Sequence, residues 1–331
     1  MPMLRLSIVI PVYNVSQYLP DCLDSILSQD VDSSCYEIIL VDDCSPHGEN
    51  IIIEDYKKKY NNLIYIRHNV NKRQGGARNT GLCAARGEYV MFLDADDFLK
   101  YINTLTILLE CVKKYSPVVL RSPSFFTFPY NTTYRQISEI YHDKVTYNSL
   151  SFVQWRKSTL FSCSACATLY KRSFLLDNNL FFRENVLYED SDWVQKTMFY
   201  AENIDLIDFT FYGYRQSLNS TTRGHSIAAF EGNVEGVIET YRFFENKELE
   251  VSFRLFLNER FIKTCVNLLK MSCDYSISES SKILKKLNGT GLTNLRGSNV
   301  LWNIVLILMN FMPLLPIVLV KILSRVRNLF D

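Results

Sequence analysis

Apolar residues follow two alternating patterns over the first hundred positions. Short uninterrupted apolar runs are typical of strands that are covered on both faces of a sheet. Between them lie longer segments that read as helices. The first has apolar residues on one face at helical spacing, the second is charged and partly amphipathic, and the third is rich in small residues. Strands alternating with helices in this way predict a doubly wound α/β fold, with a mostly parallel sheet and helices on both faces. The predicted elements are strand 4–12, helix 16–29, strand 37–41, helix 49–60, strand 63–67, helix 75–86 and strand 89–93.

Two of the predicted strands end in carboxylates. Asp42 and Asp43 follow the second strand, and the acidic run Asp94-Ala95-Asp96-Asp97 follows the fourth. Doubly wound sheets bind ligands beyond the carboxyl ends of their strands. We therefore expect Tyr13, Asp43 and the acidic run to share one rim of the sheet.

The acidic run has two interpretations. Three carboxylates within four residues repel one another, so a positive partner is expected among them. Closely spaced oxygen ligands suit Mg²⁺ or Mn²⁺, which keep open positions for substrate phosphates. A solvated turn that caps a helix beginning near Lys100 explains the same residues, since Asp is favoured at helix starts.

The turn after the first strand excludes two nucleotide-binding motifs. It reads Pro11-Val12-Tyr13-Asn14, without the glycines of a dinucleotide-binding turn, and a Walker loop is absent too. Phosphate charge must then be met by a metal and by basic side chains. Arg78 is favoured because small residues, 75–77, precede it, whereas Lys72 and Arg73 read as a solvated loop.

Composition narrows the class of protein. The chain has 331 residues, 47% of them hydrophobic, and a net charge of +1, which indicates one large domain with or without an extension and no affinity for nucleic acid.

Nine scattered cysteines are not a disulfide framework, and Cys163 with Cys166 lacks the second pair of a zinc site. His68, His142 and His225 show no paired spacing, so we do not expect them to be metal ligands. The chain begins without a signal-peptide pattern, so we expect a reducing cytoplasm.

The C-terminal third differs in pattern. It reads as wholly helical from about Ala228, and the segment Val300–Val320 has no charged residue over a length that could span a bilayer. Two prolines and two asparagines interrupt it, and Lys321, Arg325 and Arg327 follow. We expect it to contact an anionic cytoplasmic membrane face rather than cross it; packing on the rest of the chain is the alternative.

Four short motifs occur in a set order: IVIPVYN at 8–14, ILVDDCS at 39–45, GGARNTG at 75–81 and FLDADD at 92–97. Together they resemble the family 2 glycosyltransferases of the GT-A fold. Cys44 departs from that pattern, where the family usually has glycine. The resemblance implies an inverting transferase of the hexosyl or N-acetylhexosaminyl type, with a nucleotide-sugar donor, expected to be a UDP-sugar, and Mn²⁺ or Mg²⁺. The donor positions that it implies are Pro11, Tyr13, Asp43, Asp94 and Asp96, and the metal positions are Asp96 and Asp97.

The same resemblance extends to the middle of the chain. The segment VLYEDSDW at 186–193 looks like the family's Glu-Asp motif, which makes Asp190 the catalytic base and Glu189 the second choice. Direct displacement at an anomeric carbon needs such a base to take the acceptor's hydroxyl proton. Alternatively, both residues cap a helix over 192–200. Arg215, in the segment YGYRQ at 212–216, would stabilise the diphosphate leaving group.

The resemblance also predicts how the chain is divided. We expect a GT-A domain over 1–225, with a nucleotide-sugar half at 1–100 and an acceptor half at 101–225, and a helical extension over 226–331 with a membrane-associated tail at 300–327. The acceptor would be a glycan or a lipid-linked saccharide for cell-surface polysaccharide. Two alternatives are a nucleotidyltransferase acting on a sugar phosphate and a non-catalytic, membrane-associated glycan-binding homologue.

Overall fold

A computed structural model describes residues 5–216, 226–312 and 314–327. The chain divides into two compact units, the first formed by 1–185 with 193–220 and the second by 186–192 with 221–331. The first unit holds both sheets, and the second is helical. The predicted domain boundary at 225 and His225 lie outside the described residues.

The main sheet of the first unit has eight strands, and a smaller sheet has three. The strands are β1 Leu6–Val12, β2 Tyr36–Asp42, β3 Leu63–Arg67, β4 Tyr89–Phe92, β5 Phe98–Leu99, β6 Val119–Arg121, β7 Phe126–Pro129, β8 Tyr147–Ser151, β9 Thr168–Lys171, β10 Asn203–Ile207 and β11 Tyr212–Gln216. The main sheet has the order β3-β2-β1-β4-β9-β6-β10-β8, and the smaller one has the order β5-β11-β7.

The half of the main sheet that carries the acidic residues is parallel. β1 pairs in parallel with β2 on one side and β4 on the other, and β2 pairs in parallel with β3. The carboxyl ends of these four strands therefore meet at one edge, which we call the donor rim: residues 11–14, 42–45, 67–72 and 93–97. The other half is mixed, because β9 runs antiparallel to both β4 and β6.

Pro11 is tolerated in the central strand because of where β4 ends. The carbonyl of Val9 accepts a hydrogen bond from the backbone N–H of Leu93, just past the last residue of β4. Alternate residues of a strand bond to the same side. The nitrogen of Pro11 therefore faces the β4 side of the strand, beyond the last residue of β4. No strand residue there needs an N–H donor, so no hydrogen bond of the sheet is lost.

Residues 5–216 also form eight helices, and some of these helices pack on the strands to complete the core. Buried apolar side chains of β1, β2 and β4 pack with those of the first helix and of the helix that follows β5. The helices are α1 Leu19–Leu27, α2 Glu49–Lys57, α3 Arg73–Ala84, α4 Thr104–Tyr115, α5 Tyr134–Ile137, α6 Phe152–Lys157, α7 Arg172–Asp177 and α8 Asp190–Ala201, with a short 3₁₀ helix at Ser33–Cys35.

The second unit is built from five longer helices and three single turns of 3₁₀ helix. The helices are α9 Ile227–Glu245, α10 Val251–Met271, α11 Ile277–Leu284, α12 Val300–Phe311 and α13 Leu314–Arg327, and the 3₁₀ turns are Ser272–Asp274, Lys285–Leu287 and Leu292–Asn294. Within the described residues, no helix is both long enough and apolar enough to cross a bilayer.

The sequence-based elements are present, with shifts at their ends. The strand predicted at 63–67 has those bounds, and the helix predicted at 16–29 is shortened to α1. The structure contradicts the capping interpretation of the acidic run, because the run leads into β5 and the next helix begins only at Thr104.

Candidate active site at the donor rim

The acidic run forms the turn between β4 and β5. Leu93 still bonds to β1, and the backbone N–H of Asp97 donates to the carbonyl of Asp94 at 3.0 Å, which closes the turn. β5 pairs with β11 in the smaller sheet. The two sheets thus hold the turn from both of its ends, and the three carboxylates lie in different environments.

Asp97 points inward and is bound by β11. Its side chain is buried, with one carboxylate oxygen accepting from the Tyr212 hydroxyl at 2.6 Å and the other from the backbone N–H of Arg215 at 2.8 Å. Burial, and then the negative charges of Asp96 and Asp94, raise the pKa of Asp97 well above its usual range. The geometry gives this residue an anchoring role in addition to its predicted role at a metal, which remains a prediction.

Asp94 and Asp96 are half-buried and hence nearer to solvent. One oxygen of Asp94 accepts from Gln74 at 2.6 Å and from the guanidinium of Arg78 at 2.8 Å. The backbone N–H of Asp94 donates to Tyr212, so this hydroxyl joins both ends of the turn. Among the residues that the structure describes, no group of three or more His, Cys, Asp or Glu side chains has an arrangement that could hold a metal ion by itself.

The two arginines predicted to meet phosphate are both buried. Arg78 lies on α3, paired with Asp94, with its guanidinium 5.3 Å from the centre of the Phe182 ring. Arg215 bonds to the carbonyls of Asp96 and Thr132 and to the carboxylate of Asp21. These three bonds use three of its five N–H donors, and the side chain is buried. Contact of Arg215 with a diphosphate stays a prediction.

The residues predicted to hold the nucleobase lie at the ends of β1 and β2. Tyr13 follows β1 with half of its surface exposed (50%), whereas Pro11 is half-buried. Asp43 follows β2 and is buried, and its backbone N–H donates to the carbonyl of Val12 at 2.8 Å. An exposed aromatic ring such as that of Tyr13 can stack on a planar base, and a carboxylate such as that of Asp43 can accept a hydrogen bond from an N–H group of the base.

His68 is a rim residue that the sequence did not reveal. Its ring nitrogens lie 2.7 Å from a carboxylate oxygen of Asp43 and 2.9 Å from the hydroxyl of Thr80. In a sequence, histidines are recognised as candidate metal ligands when two of them occur at a characteristic spacing. His68 has no such partner, so this criterion did not identify it. The available signal was its position, one residue after a strand whose carboxyl end lies at the donor rim.

The predicted base lies at the start of α8. Asp190 and Asp192 are in the first turn of this helix, where negative charge is favourable, as the capping interpretation expects. Glu189 precedes the helix and is buried, and Asp190 is half-buried. Residues 186–192 group with the second unit. A role in proton transfer for either residue remains a prediction.

Comparison with known proteins identifies the family. The model of the family described as "Glycosyl transferase family 2" matches residues 7–177. A poly(ribitol-phosphate) beta-glucosyltransferase of Bacillus spizizenii is 44% identical over 97 residues, which are 29% of this chain and 15% of that protein. The uncharacterised glycosyltransferase EpsJ of Bacillus subtilis is 31% identical over 219 residues, which are 65% of this chain and 62% of that protein. The chain thus spans less than two thirds of either relative.

A solved structure extends the likeness to the fold. TarS 1–349 of S. aureus, crystallised with UDP-GlcNAc, superimposes with a TM-score of 0.73 at 21% identity, over 97% of this chain and 91% of that one. The predicted GT-A fold with a helical C-terminal region is confirmed. The family match covers more than half of the chain and includes β1, β2, α3 and the acidic turn, and the chain therefore belongs to the family 2 glycosyltransferases.

Proposed function

We propose that the protein is an inverting, metal-dependent glycosyltransferase that moves a hexosyl or N-acetylhexosaminyl group from a UDP-sugar to a saccharide or lipid-linked saccharide, in the synthesis of cell-surface polysaccharide. The observation that carries the proposal is the donor rim, where Tyr13, Asp43 and the acidic turn follow adjacent parallel strands. A relative named as a glucosyltransferase and a structural neighbour crystallised with UDP-GlcNAc support this donor class.

On this proposal the donor extends along the rim. The ring of Tyr13 stacks on the base, and Asp43 accepts a hydrogen bond from it. Pro11 shapes the turn beneath them, and the acidic turn meets the ribose and diphosphate through Asp94 and Asp96. Arg78 holds Asp94 in place from α3, so its contribution to donor binding would pass through that carboxylate.

The residues present fit a hard divalent ion. Mg²⁺ and Mn²⁺ prefer oxygen ligands, and Mg²⁺ sites of this kind use one or two carboxylates together with substrate phosphates, so a closed protein cage is not needed. Asp96 is half-buried and can supply such an oxygen, with Asp97 as the second predicted ligand. When bound, the ion would neutralise charge on the diphosphate leaving group.

The transfer step needs one proton acceptor. In a direct displacement, the acceptor's hydroxyl oxygen forms a bond to the anomeric carbon while the bond from that carbon to the diphosphate oxygen breaks, which inverts the configuration. The hydroxyl proton passes to a carboxylate. We propose Asp190 for this role, with Glu189 as the second candidate, on the basis of the sequence motif.

The C-terminal tail is proposed to contact a membrane surface. Apolar residues of α12 at helical spacing are exposed, namely Val300, Ile304, Ile307 and Phe311. No Asp or Glu occurs between residues 280 and 330, whereas that stretch carries Lys282, Lys285, Lys286, Arg296, Lys321, Arg325 and Arg327. Exposed apolar residues in a stretch whose charged residues are all basic suit an anionic bilayer surface. On this proposal the protein would lie peripherally at the cytoplasmic face, within reach of a lipid-linked acceptor.

Product analysis tests the proposed chemistry. The protein is incubated with labelled UDP-sugars, Mn²⁺ and a saccharide or lipid-linked acceptor, and released nucleotide is identified. Transfer releases UDP, and Asp190→Asn should lower the rate at least about a hundredfold while UDP binding is kept. Asp208→Asn, which changes an exposed carboxylate, is the matched control. Release of pyrophosphate would instead show a nucleotidyltransferase, and tight UDP-sugar binding without turnover would show a non-catalytic homologue.

A further inference from the structure

His68 connects two elements of the donor rim. It follows β3 directly, and its backbone N–H donates to the carbonyl of Asp42 at 2.8 Å. Its side chain is 9% exposed and lies between Asp43 on the β2 side and Thr80 on α3. The imidazole therefore has a fixed position, in contact with a residue proposed to bind the donor.

The carboxylate of Asp43 is held through one of its two oxygens. Its Oδ1 atom lies 2.7 Å from Nδ1 of His68 and accepts from the backbone N–H of Lys72 at 2.8 Å. The side-chain amide of Asn71 donates to the Asp43 carbonyl. Within the described residues, no hydrogen bond reaches Oδ2 of Asp43. One oxygen is thus fixed by the protein, and the other is left as an acceptor.

The chemistry of these groups determines the tautomer of His68. An ionised carboxylate only accepts hydrogen bonds, so the Nδ1 atom that faces Asp43 must carry a proton. The hydroxyl of Thr80 can then donate to Nε2, because a hydroxyl serves as donor or acceptor. Both ring nitrogens are satisfied, which orients the ring and, through it, the plane of the Asp43 carboxylate.

We propose that His68 is a positioning residue for nucleobase selection: it holds Oδ1 of Asp43 so that Oδ2 can accept a hydrogen bond from the base of the donor. This inference rests on the proposed function, in which Asp43 meets the base. A carboxylate acceptor favours bases with a ring N–H between carbonyl or amino groups, such as uracil and guanine. It disfavours cytosine and adenine, whose corresponding ring nitrogen is itself an acceptor.

Two polar substitutions separate positioning from simple packing. In His68→Asn the amide nitrogen lies near the place of Nδ1, so the hydrogen bond to Asp43 is kept. In His68→Gln the amide reaches toward the place of Nε2 and Thr80, and the bond to Asp43 is lost. We expect the dissociation constant of UDP, measured by titration calorimetry, to stay within about threefold for His68→Asn and to rise about ten- to a hundredfold for His68→Gln.

Two further measurements, the kinetic constants of transfer and the preference for UDP over CDP, would change if His68 positions Asp43 but not if His68 only supports the fold. For His68→Gln the KM for the UDP-sugar should rise with little change in kcat, and the preference for UDP over CDP should shrink. His142→Gln, at an exposed histidine, is the control and should match the parent protein. His68→Leu, if it folds, should behave like His68→Gln.

The outcomes distinguish this inference from the proposed function. If the parent protein binds UDP and His68→Gln binds it equally well, His68 does not position Asp43, and the proposed function is unaffected. Equal weakening by Asn and Gln, with equal losses of melting temperature, would show a packing role only and would also overturn the inference. If the parent protein binds no nucleoside diphosphate, the proposed function itself fails.

Discussion

At the scale of single residues, the three carboxylates of the acidic turn differ although their spacing in the sequence is regular. Asp97 faces the interior, with Tyr212 and the backbone of Arg215 as partners. Asp94 and Asp96 remain half-buried. The raised pKa of Asp97 follows from its burial first and from its two acidic neighbours second. The same turn therefore combines a buried anchor with two carboxylates that lie nearer to solvent.

We predict that Tyr212→Phe destabilises the first unit. The substitution removes the hydroxyl that donates to Asp97 and accepts from the backbone N–H of Asp94, and it leaves a buried carboxylate short of a donor. The free energy of unfolding, from urea titration, should fall by about 1–3 kcal/mol.

Tyr60→Phe serves as the control for that experiment. Tyr60 is half-buried in the same unit and stacks on Tyr56. No hydrogen bond from its hydroxyl is found within the described residues, and its replacement should change the unfolding energy by less than about 0.5 kcal/mol. Equal unfolding midpoints for the two variants would contradict the anchoring role of Tyr212.

At the scale of elements, α3 packs closely on the central strand. A Cβ atom at Gly81 would lie 2.2 Å from a methyl group of Val9. This close approach brings Arg78, three residues earlier on the same helix, to Asp94. The glycine is thus a packing requirement that also places a charged residue in the site.

We predict that Gly81→Ala costs about 1–3 kcal/mol of unfolding free energy, because the added methyl group would overpack the contact between α3 and β1. Cys83→Ala is the matched control, since Cys83 is exposed on the same helix. Thermal and urea unfolding measure both variants. A Gly81→Ala protein as stable as the control would show that α3 can shift away from β1 at no cost.

Much of this level could be predicted from the sequence, since apolar runs define β1 to β4, and apolar residues at helical spacing define α1. The ends of the helices were predicted less accurately than the strands. Helix α1 begins only at Leu19, three residues after its predicted start. Pro20 fits its first turn, because an N–H group there would have no helical partner. β5 has two residues, too short to give a pattern. The partners of Asp97 come from β11 and those of Asp43 from the loop after β3, and such distant contacts leave no local trace.

At the scale of the whole molecule, the tail is divided into two helices. Two residues lie between α12 and α13, and the first of them, Met312, has non-helical backbone angles. The sequence explains the break, because helical geometry is disfavoured for a residue that precedes a proline. Phe311 is 75% exposed beside the break, and Leu314 and Leu315 are exposed after it. Leu306 and Met309 are buried on the opposite side of α12. Helix α12 therefore has one buried face and one exposed apolar face, which we call its outward face.

We predict that this outward face binds anionic vesicles. Replacing Val300, Ile304 and Phe311 together by serine should lower the fraction that sediments with phosphatidylglycerol-containing vesicles about tenfold, because less apolar area enters the interface. UDP binding should not change. Serine at Val251 and Leu255, which are exposed on α10, is the matched control. Binding that persists in the triple variant would refute a membrane role for α12.

We propose that the acidic turn binds a nucleotide sugar together with a divalent ion, and the melting temperature of the protein tests this most directly. The parent protein and Asp96→Asn are screened with UDP-sugars, with Mn²⁺ and with a chelator. At about 100 times the dissociation constant, a ligand adds about 2.7 kcal/mol to stability. We predict a rise of several degrees for the parent protein with one UDP-sugar and Mn²⁺ and a smaller rise with chelator. Asp96→Asn should show no more than this smaller rise, with Mn²⁺ or with chelator, because it loses the metal-dependent part of donor binding. An unchanged melting temperature of the parent protein with every UDP-sugar, with or without Mn²⁺, would contradict the claim.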